Sequence, residues 1–319
     1  MYHWVKLGKV FDPTKSDVGD WMKEFAQCPS TLIFDSIVRI YFCCRPLPVN
    51  GMYISNLAYI DVRRDNLLKI VNLSRRPVME LGDLGTFDEF GVYPASVINN
   101  KGDIRVYYAG NTRCESVPFN AAIGVAISKD QGNTFNRLGP GPVLSYSFDE
   151  PFTLGSPKVR VFNNKWYLWY TAGKKWIVNN NAKLPVYKIR MAISNDGLNW
   201  QKQGKDLLET VLEENECQAS ADVSYANGKY HMFFSYRYHT DFKEKERGYR
   251  IGYAVSEDLI TWKRQDSKAG MTVSKEGWDS ESVSYAHVFE LDSKTYMLYQ
   301  GNYMGKAGFG LAQLQGVLE

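Results

Sequence analysis

Four glutamates stand at one fixed distance from a recurring residue. Glu24, Glu89, Glu216 and Glu281 each lie five residues before Pro29, Pro94, Ala221 and Ala286. The same count from Pro157 reaches Phe152, counting back seven adds Glu150, Glu214 and Asp279, and Asp88 sits at six. Counting forward 16 to 18 residues from these anchors gives Arg45, Lys174, Lys175 and Arg237, with Arg113 slightly later. Carboxyl groups brought together can act as acid and base. Glycosidic cleavage in particular needs one protonated carboxyl for the leaving oxygen and a second as base or nucleophile, about 5 to 9.5 Å away. Arginines beside them grip a phosphate or carboxylate bidentately. Aromatic rings such as Tyr93, Trp176, Tyr236, Tyr238 and Tyr285 suit the apolar faces of a sugar.

Residues so far apart in sequence share a site only if the fold repeats, and the chain does repeat. Successive anchors Pro29, Pro94, Pro157, Ala221 and Ala286 are separated by 65, 63, 64 and 65 residues. Each opens an apolar strand, where a proline fits because the first residue need not donate to the ladder. About 13 residues on comes an aromatic strand: Ile40-Tyr41-Phe42-Cys43, Val106-Tyr107-Tyr108-Ala109, Leu168-Trp169-Tyr170-Thr171, Met232-Phe233-Phe234-Ser235 and Met297-Leu298-Tyr299-Gln300. A third run carries Ala58, Ala126, Ala192, Ala254 or Ala312. Three of these lead through an acidic turn (Asp130, Asp196, Asp258) to an aromatic residue and a short fourth strand. Four antiparallel strands per unit and a fixed period predict an all-β, five-bladed propeller.

The fifth unit ends after its third strand. Trp4-Val5-Lys6-Leu7-Gly8 has the aromatic, polar, basic, any, Gly pattern of the fourth strands, as in Phe135-Asn136-Arg137-Leu138-Gly139. The N-terminus is therefore expected to complete the last sheet, removing edges that invite aggregation. This gives one propeller domain over 1–319, with blades near 12–76, 77–141, 142–205, 206–269 and 270–319 plus 1–11. In it the start of each inner strand and the end of each second strand share one face, so the acids and bases ring one mouth of the central channel.

Composition agrees with a globular chain: 44% of 319 residues are hydrophobic and 23% charged, with a net charge of +3. No basic stretch interleaved with aromatics points to nucleic acid, and no run of about 18 apolar residues points to a membrane. Five cysteines without CxxC spacing fit reduced thiols, and a cytoplasmic location is expected. His287, just inside the last inner strand, reads as a hydrogen-bonded core residue. No metal or cofactor is expected. The recurring acids are also what an architectural role would produce, each holding a neighbouring blade's backbone, and Arg45 or Arg237 could then simply pair with them.

The arrangement resembles the five-bladed glycosidase propellers that include arabinanases, invertases and mannoside phosphorylases. Trp278-Asp279-Ser280-Glu281 with Tyr285, Tyr299-Gln300-Gly301-Asn302, Gly308-Phe309-Gly310-Leu311-Ala312 and Leu84-Gly85-Thr86-Phe87-Asp88-Glu89 resemble bacterial glycosidase-like proteins of surface-polysaccharide gene clusters. Glu216-Cys217 is similar to the Glu-Cys of invertase-like enzymes, whose Glu is the general acid. Where those enzymes show Arg-Asp-Pro, this chain has Gly155-Ser156-Pro157, and Asp12-Pro13 matches their nucleophile motif only in part. The resemblance implies an enzyme hydrolysing or transferring a glycosyl group, on a phosphorylated, nucleotide-linked or acidic sugar where the arginines engage it. Glu216 is then the expected acid and Glu89 or Asp88 the base or nucleophile. Glu281, Asp279, Glu150, Glu24, Arg113, Arg237, Arg45, Lys174, Tyr93 and Tyr285 are expected to bind substrate. A propeller that binds a glycan or nucleotide sugar without turnover is the alternative.

Overall fold

A computed structural model describes residues 1–16 and 18–319. Among these residues, strands form five four-stranded antiparallel sheets. From inside outward the first blade is Glu24–Ile33, Ile37–Arg45, Asn56–Arg63 and Asn66–Leu73. The second is Val92–Asn100, Asp103–Arg113, Phe119–Ser128 and Asn136–Arg137. The third is Leu154–Phe162, Lys165–Asn179, Ala182–Ser194 and Gln201–Lys202. The fourth is Cys217–Ala226, Lys229–Arg237, Arg250–Ser256 and Lys263–Arg264. The fifth is Ser284–Leu291, Lys294–Gln300 and Phe309–Gln315, closed on its outer side by His3–Phe11. Each inner strand packs against the inner strands on either side, all the way round. The protein is a five-bladed propeller whose N-terminal strand completes the last sheet.

The apolar side chains of each sheet face the next blade, so the core is divided into five inter-blade clusters. Phe42, Leu298 and Phe309 join the first and fifth blades, and Tyr41, Val97 and Tyr108 the first and second. Leu154 and Ile123, Met232 and Trp169, and Phe233 and Met297 serve the remaining joints. Hydroxyls staple the outer rims: Tyr41 donates to the Gly132 carbonyl at 2.6 Å and Tyr107 to that of Gly197 at 2.9 Å. Those carbonyls belong to the acidic turns, which Ser128–Asp130 and Ser194–Asp196 hydrogen bonds close.

At the axis the inner strands expose one backbone edge, which must find partners. Ser30 Oγ accepts from the Val97 N–H at 3.0 Å, His287 Nε2 from that of Thr31 at 3.1 Å, and Asp222 Oδ2 from that of Val288 at 3.1 Å. Arg160 Nε donates to the Val223 carbonyl at 3.1 Å. Each of these bonds crosses from one blade to the next.

Every inner strand also carries a bulge at one level, between Gln27 and Ser30, Val92 and Ala95, Gly155 and Lys158, Ala219 and Asp222, and Ser284 and His287. The residue before the anchor is left-handed in four blades: Cys28, Ser156, Ser220 and Tyr285 have φ of 56°, 45°, 55° and 53°. Such conformations cost about 1–3 kcal/mol each for residues other than glycine and concentrate at functional sites. With Tyr93, the residue before Pro94, these five positions ring the channel at one height. The first blade departs from the sequence reading in one respect: Ala58 pairs with Phe42, whereas Ala126 pairs with Val106 and Ala254 with Met232. Ile60, opposite Ile40, holds the position of the other alanines. No helix among the described residues is long and apolar enough to cross a membrane.

Candidate functional site

Four of the recurring acids are built into their own blades. Asp88 Oδ2 accepts from Tyr108 Oη at 2.9 Å and from Arg137 Nε at 2.8 Å. Glu150 Oε1 accepts from Tyr170 Oη at 3.0 Å and Arg190 Nη1 at 2.8 Å, while Lys202 Nζ lies 2.7 Å from Oε2. Asp279 Oδ2 accepts from Tyr299 Oη at 3.0 Å and Lys6 Nζ at 2.6 Å. Glu216 Oε1 accepts from Arg264 Nη1 and Gln218 Nε2, both at 2.7 Å, and its Oε2 from the N–H groups of Val211 and Leu212. All four carboxylates are buried.

The cation comes from the outermost strand each time, at one register position: Arg137, Lys202, Arg264 and Lys6 pair with Ala126, Ala192, Ala254 and Ala312. In the first blade that position is Leu73, opposite Ile60. There the acid's place is taken by buried Met22, which packs with Phe42 and Leu73 in one apolar cluster. Acid and base are thus present together in four blades and absent together in the first.

In this geometry Glu216 and Asp88, expected as acid and base, and Glu150 and Asp279, expected as ligands, are each engaged by a cation and a further donor of their own blade. Burial would raise the Glu216 carboxyl, but Arg264 and Gln218 outweigh it and hold it below the usual carboxylate range. A carboxylate so held is ionised and has no proton to give. Glu89 accepts from the Gly85 N–H at 2.9 Å within its own loop. Lys174 pairs with Asp206 at 3.1 Å, and Arg113 lies 4.2 Å over the Phe90 ring.

The remaining expected residues do converge. A cavity of about 460 Å³ opens on the face where inner strands begin, between the first, fourth and fifth blades. Its walls include Phe25, Arg45, Tyr53, Tyr249, Glu281 and Lys306. Glu24 accepts from Tyr53 Oη and Lys306 Nζ, each at 2.9 Å. Burial would raise its carboxyl, and these two partners hold it below its ordinary value. The Glu281 carboxylate has no hydrogen bond or ion pair among the described residues; its backbone N–H is fixed by Asn302 Oδ1 at 2.8 Å.

Beside this cavity Tyr285 and Tyr249 meet edge to face at 5.9 Å, in one cluster with Cys28, Tyr93 and Tyr187. Burial pushes the phenols of Tyr93, Tyr187 and Tyr285 well up, so all remain protonated donors. Arg45 stacks 4.8 Å from the Tyr93 ring and donates to Ser55 Oγ at 3.0 Å. Arg237 lies 3.8 Å from the Phe242 ring and 5.2 Å from that of Tyr249. Tyr53, Tyr187 and Tyr249 each stand five residues before a third-strand alanine (Ala58, Ala192, Ala254), an offset that sequence reasoning did not follow, and Lys306 stands on a connection of the fifth blade.

Below the ring the channel is filled by an ionic cluster. Asp222 is bonded to Arg160, with His287 Nδ1 at 2.8 Å and Lys158 Nζ at 3.7 Å. Thr31 N–H donates to His287 Nε2, which places the imidazole proton on Nδ1, facing Asp222. Burial lowers His287 to about 4, so it is the neutral core residue that its sequence position suggested.

The Mycobacterium tuberculosis protein named "Uncharacterized protein Rv1502" is 33% identical over 314 residues, covering 98% of this chain and 99% of its own. The chain belongs to its family. No protein-family model matches the sequence. A "1,2-beta-oligomannan phosphorylase" of Thermoanaerobacter sp. is 25% identical over 221 residues, 68% of this chain and 66% of that protein. Among solved structures, a "Glycoside hydrolase" superposes with a TM-score of 0.77 at 17% identity, covering 98% of this chain and 92% of its own. A member of the GH130 family of mannoside phosphorylases, described with hydrolases that target β-1,2 mannosidic linkages in Candida mannan, gives 0.69 at 12% identity over 98% and 93% of the two chains. The family of Rv1502 therefore has the propeller fold of glycoside hydrolases and mannoside phosphorylases.

Proposed function

We infer that this chain is a carbohydrate-active enzyme that hydrolyses or transfers a glycosyl group at the upper mouth of its propeller, one propeller forming the functional unit. The observation that carries the reading is Glu281, a carboxylate without partners among the described residues in the wall of a sugar-sized cavity. Its proton-transfer role would be complemented by Glu24, which Lys306 and Tyr53 keep ionised as a base or nucleophile. Tyr249, Tyr53 and Phe25 supply ring faces for a sugar. The similarity to a mannan phosphorylase supports a glycoside as substrate. Asp88, Glu150, Glu216 and Asp279 serve as latches inside blades, not as catalysts.

One observation favours binding without turnover. The axial ring of Cys28, Tyr93, Ser156, Ser220 and Tyr285 contains no carboxylate, although four of its five positions have the left-handed backbone that concentrates at functional sites. Incubation with aryl glycosides and β-linked oligomannosides, with and without phosphate, separates the two. Product formation that Glu281→Gln abolishes supports the enzyme, and saturable binding without product supports the binding module. Neither turnover nor binding at this mouth would reject both.

A further inference from the structure

Arg237 is a cation without a counter-charge among the described residues. It is 4% exposed, yet no Asp or Glu among the described residues pairs with it. Nη1 donates to the carbonyls of Tyr238 and His239, at 2.8 and 3.0 Å, and Nη2 to Tyr187 Oη at 3.1 Å. Nε is buried and has no protein acceptor among the described residues. A buried guanidinium normally has an anion beside it, because desolvating a charge costs far more than neutral carbonyls return. Arg45, on the other side of the tyrosine cluster, likewise has no carboxylate partner among the described residues and uses Nε alone, on Ser55.

The hydrogen bonds between them leave one donor free. Arg237 can only donate, so Tyr187 Oη accepts from it; Tyr187 Oη and Tyr249 Oη lie 2.6 Å apart with either hydroxyl able to donate, and that one bond uses one of their two protons. The second proton is left without an acceptor among the described residues, on a hydroxyl pair of which Tyr249 lines the cavity. A relay running from a buried cation ends in a hydroxyl pair with one free O–H donor, on the same wall as Arg45. Donors without acceptors, beside uncompensated positive charge, are what an oxyanion requires. Neighbouring acids do not supply it: Glu24, behind the wall, is taken by Lys306, and among the described residues the lining Glu244 and Glu281 form no ion pair with either arginine.

We propose that the upper mouth recognises an oxyanion on its ligand, a phosphate or a carboxylate carried by the sugar, through Arg45 and the Arg237–Tyr187–Tyr249 relay. This rests on the seating of the substrate at that mouth. The substrate class becomes sugar phosphates or acidic sugars rather than neutral glycosides.

Calorimetric titration at constant ionic strength tests it, using inorganic phosphate, acetate and a neutral aldohexose as probes. Binding of phosphate or acetate is expected, and the tighter of the two distinguishes a phosphorylated from a carboxylated ligand. Arg45→Gln should weaken that binding by about ten-fold or more, the usual worth of a charged hydrogen bond. Arg237→Lys keeps the charge and loses the fork, and should weaken it too; if it does not fold, Arg45→Gln decides. No oxyanion binding, or binding unchanged in the folded variants, overturns the proposal. Binding of the hexose alone would overturn it and leave the carbohydrate reading standing; failure of all three probes overturns it as well, and the carbohydrate reading is then decided by the aryl glycoside and oligomannoside incubation.

Discussion

Glu216 Oε1 sits 2.7 Å from Nη1 of Arg264, a residue on the outermost strand of the same blade. The pair spans the blade from the start of its inner strand to its rim, beneath the ring of Phe234, which the Arg264 guanidinium approaches at 5.0 Å. Phe234 faces Gly252 on the third strand. A Cβ there would meet Phe234 Cζ at 2.4 Å.

A latch of this kind predicts that Glu216→Gln acts on folding, not on chemistry. Removing one partner of a buried pair strands the other, at roughly 3–5 kcal/mol. Arg264 keeps Asp266 at 2.8 Å, so a loss near the lower end, about 3 kcal/mol, is expected. Urea unfolding should show a lower midpoint with an unchanged slope. A variant of unaltered stability that had lost turnover would return Glu216 to the active centre.

The first blade supplies the complementary test. Its Met22, Phe42 and Leu73 occupy the places of Glu216, Phe234 and Arg264, so the apolar solution already exists in this protein. Glu216→Met alone should be strongly destabilising, because Arg264 loses its buried partner. Combining it with Arg264→Leu should recover most of the loss, since ion pairs replaced whole by apolar side chains are often neutral. Absence of coupling in the double-mutant cycle would show that the two residues do not act as a unit.

Most of the fold was legible in the sequence because it is written five times. The anchors, the aromatic strands and the N-terminal strand all follow from spacing, and Ala58 was misaligned by two residues because one small residue per third strand looks like another. The acids were correctly read as a repeat, but Asp88, Glu150, Glu216 and Asp279 turn along their own sheets, whereas Glu281 and Glu24 stand at the mouth. The missing signal lay in the fourth-strand pattern itself, whose basic residue (Arg137, Lys202, Lys6) recurs in the blades that have the acid; its loss in the first blade coincides with Met22. Spacing reveals which residues repeat but not whether a side chain turns inward to the channel or along its own sheet. The tyrosine cluster was half visible: Tyr93 and Tyr285 precede anchors, whereas Tyr187 and Tyr249 repeat at a different offset, five residues before Ala192 and Ala254, which was not followed.

Gly310 measures how tightly that internal space is filled. An added Cβ would stand 2.5 Å from Trp278 Cη2 and 2.7 Å from the Gly8 carbonyl oxygen. Trp278 stacks on Tyr299, the hydroxyl partner of Asp279, and cannot retreat without disturbing the fifth blade's latch. Gly310→Ala should therefore cost roughly 1–3 kcal/mol by overpacking, and a thermal midpoint equal to wild type would contradict the packing described.

The pH dependence of stability follows from two groups with opposite chemistry and the same sign. His287 titrates at about 4 when folded and at 6.5 when unfolded, burial being the main cause. Between these values the unfolded chain binds a proton that the native protein refuses, so stability falls as pH is lowered through this window. The slope approaches about 1.4 kcal/mol per pH unit for one proton. Asp222, Lys158, Arg160 and Thr31 surround the ring, and Asp222 stays ionised throughout, its carboxyl pulled down by Arg160, Lys158 and His287 against burial. Glu216 adds to the fall at lower pH: its stabilisation is complete above 4.5 and is lost as pH drops through its depressed folded value. Denaturant midpoints measured from pH 7 to 4 should show a shallower decline in His287→Gln than in wild type. His231 and His239, both lowered by burial, keep part of the slope. An identical decline in the variant would mean that His287 is not the buried, neutral group the inter-blade bond to Thr31 requires.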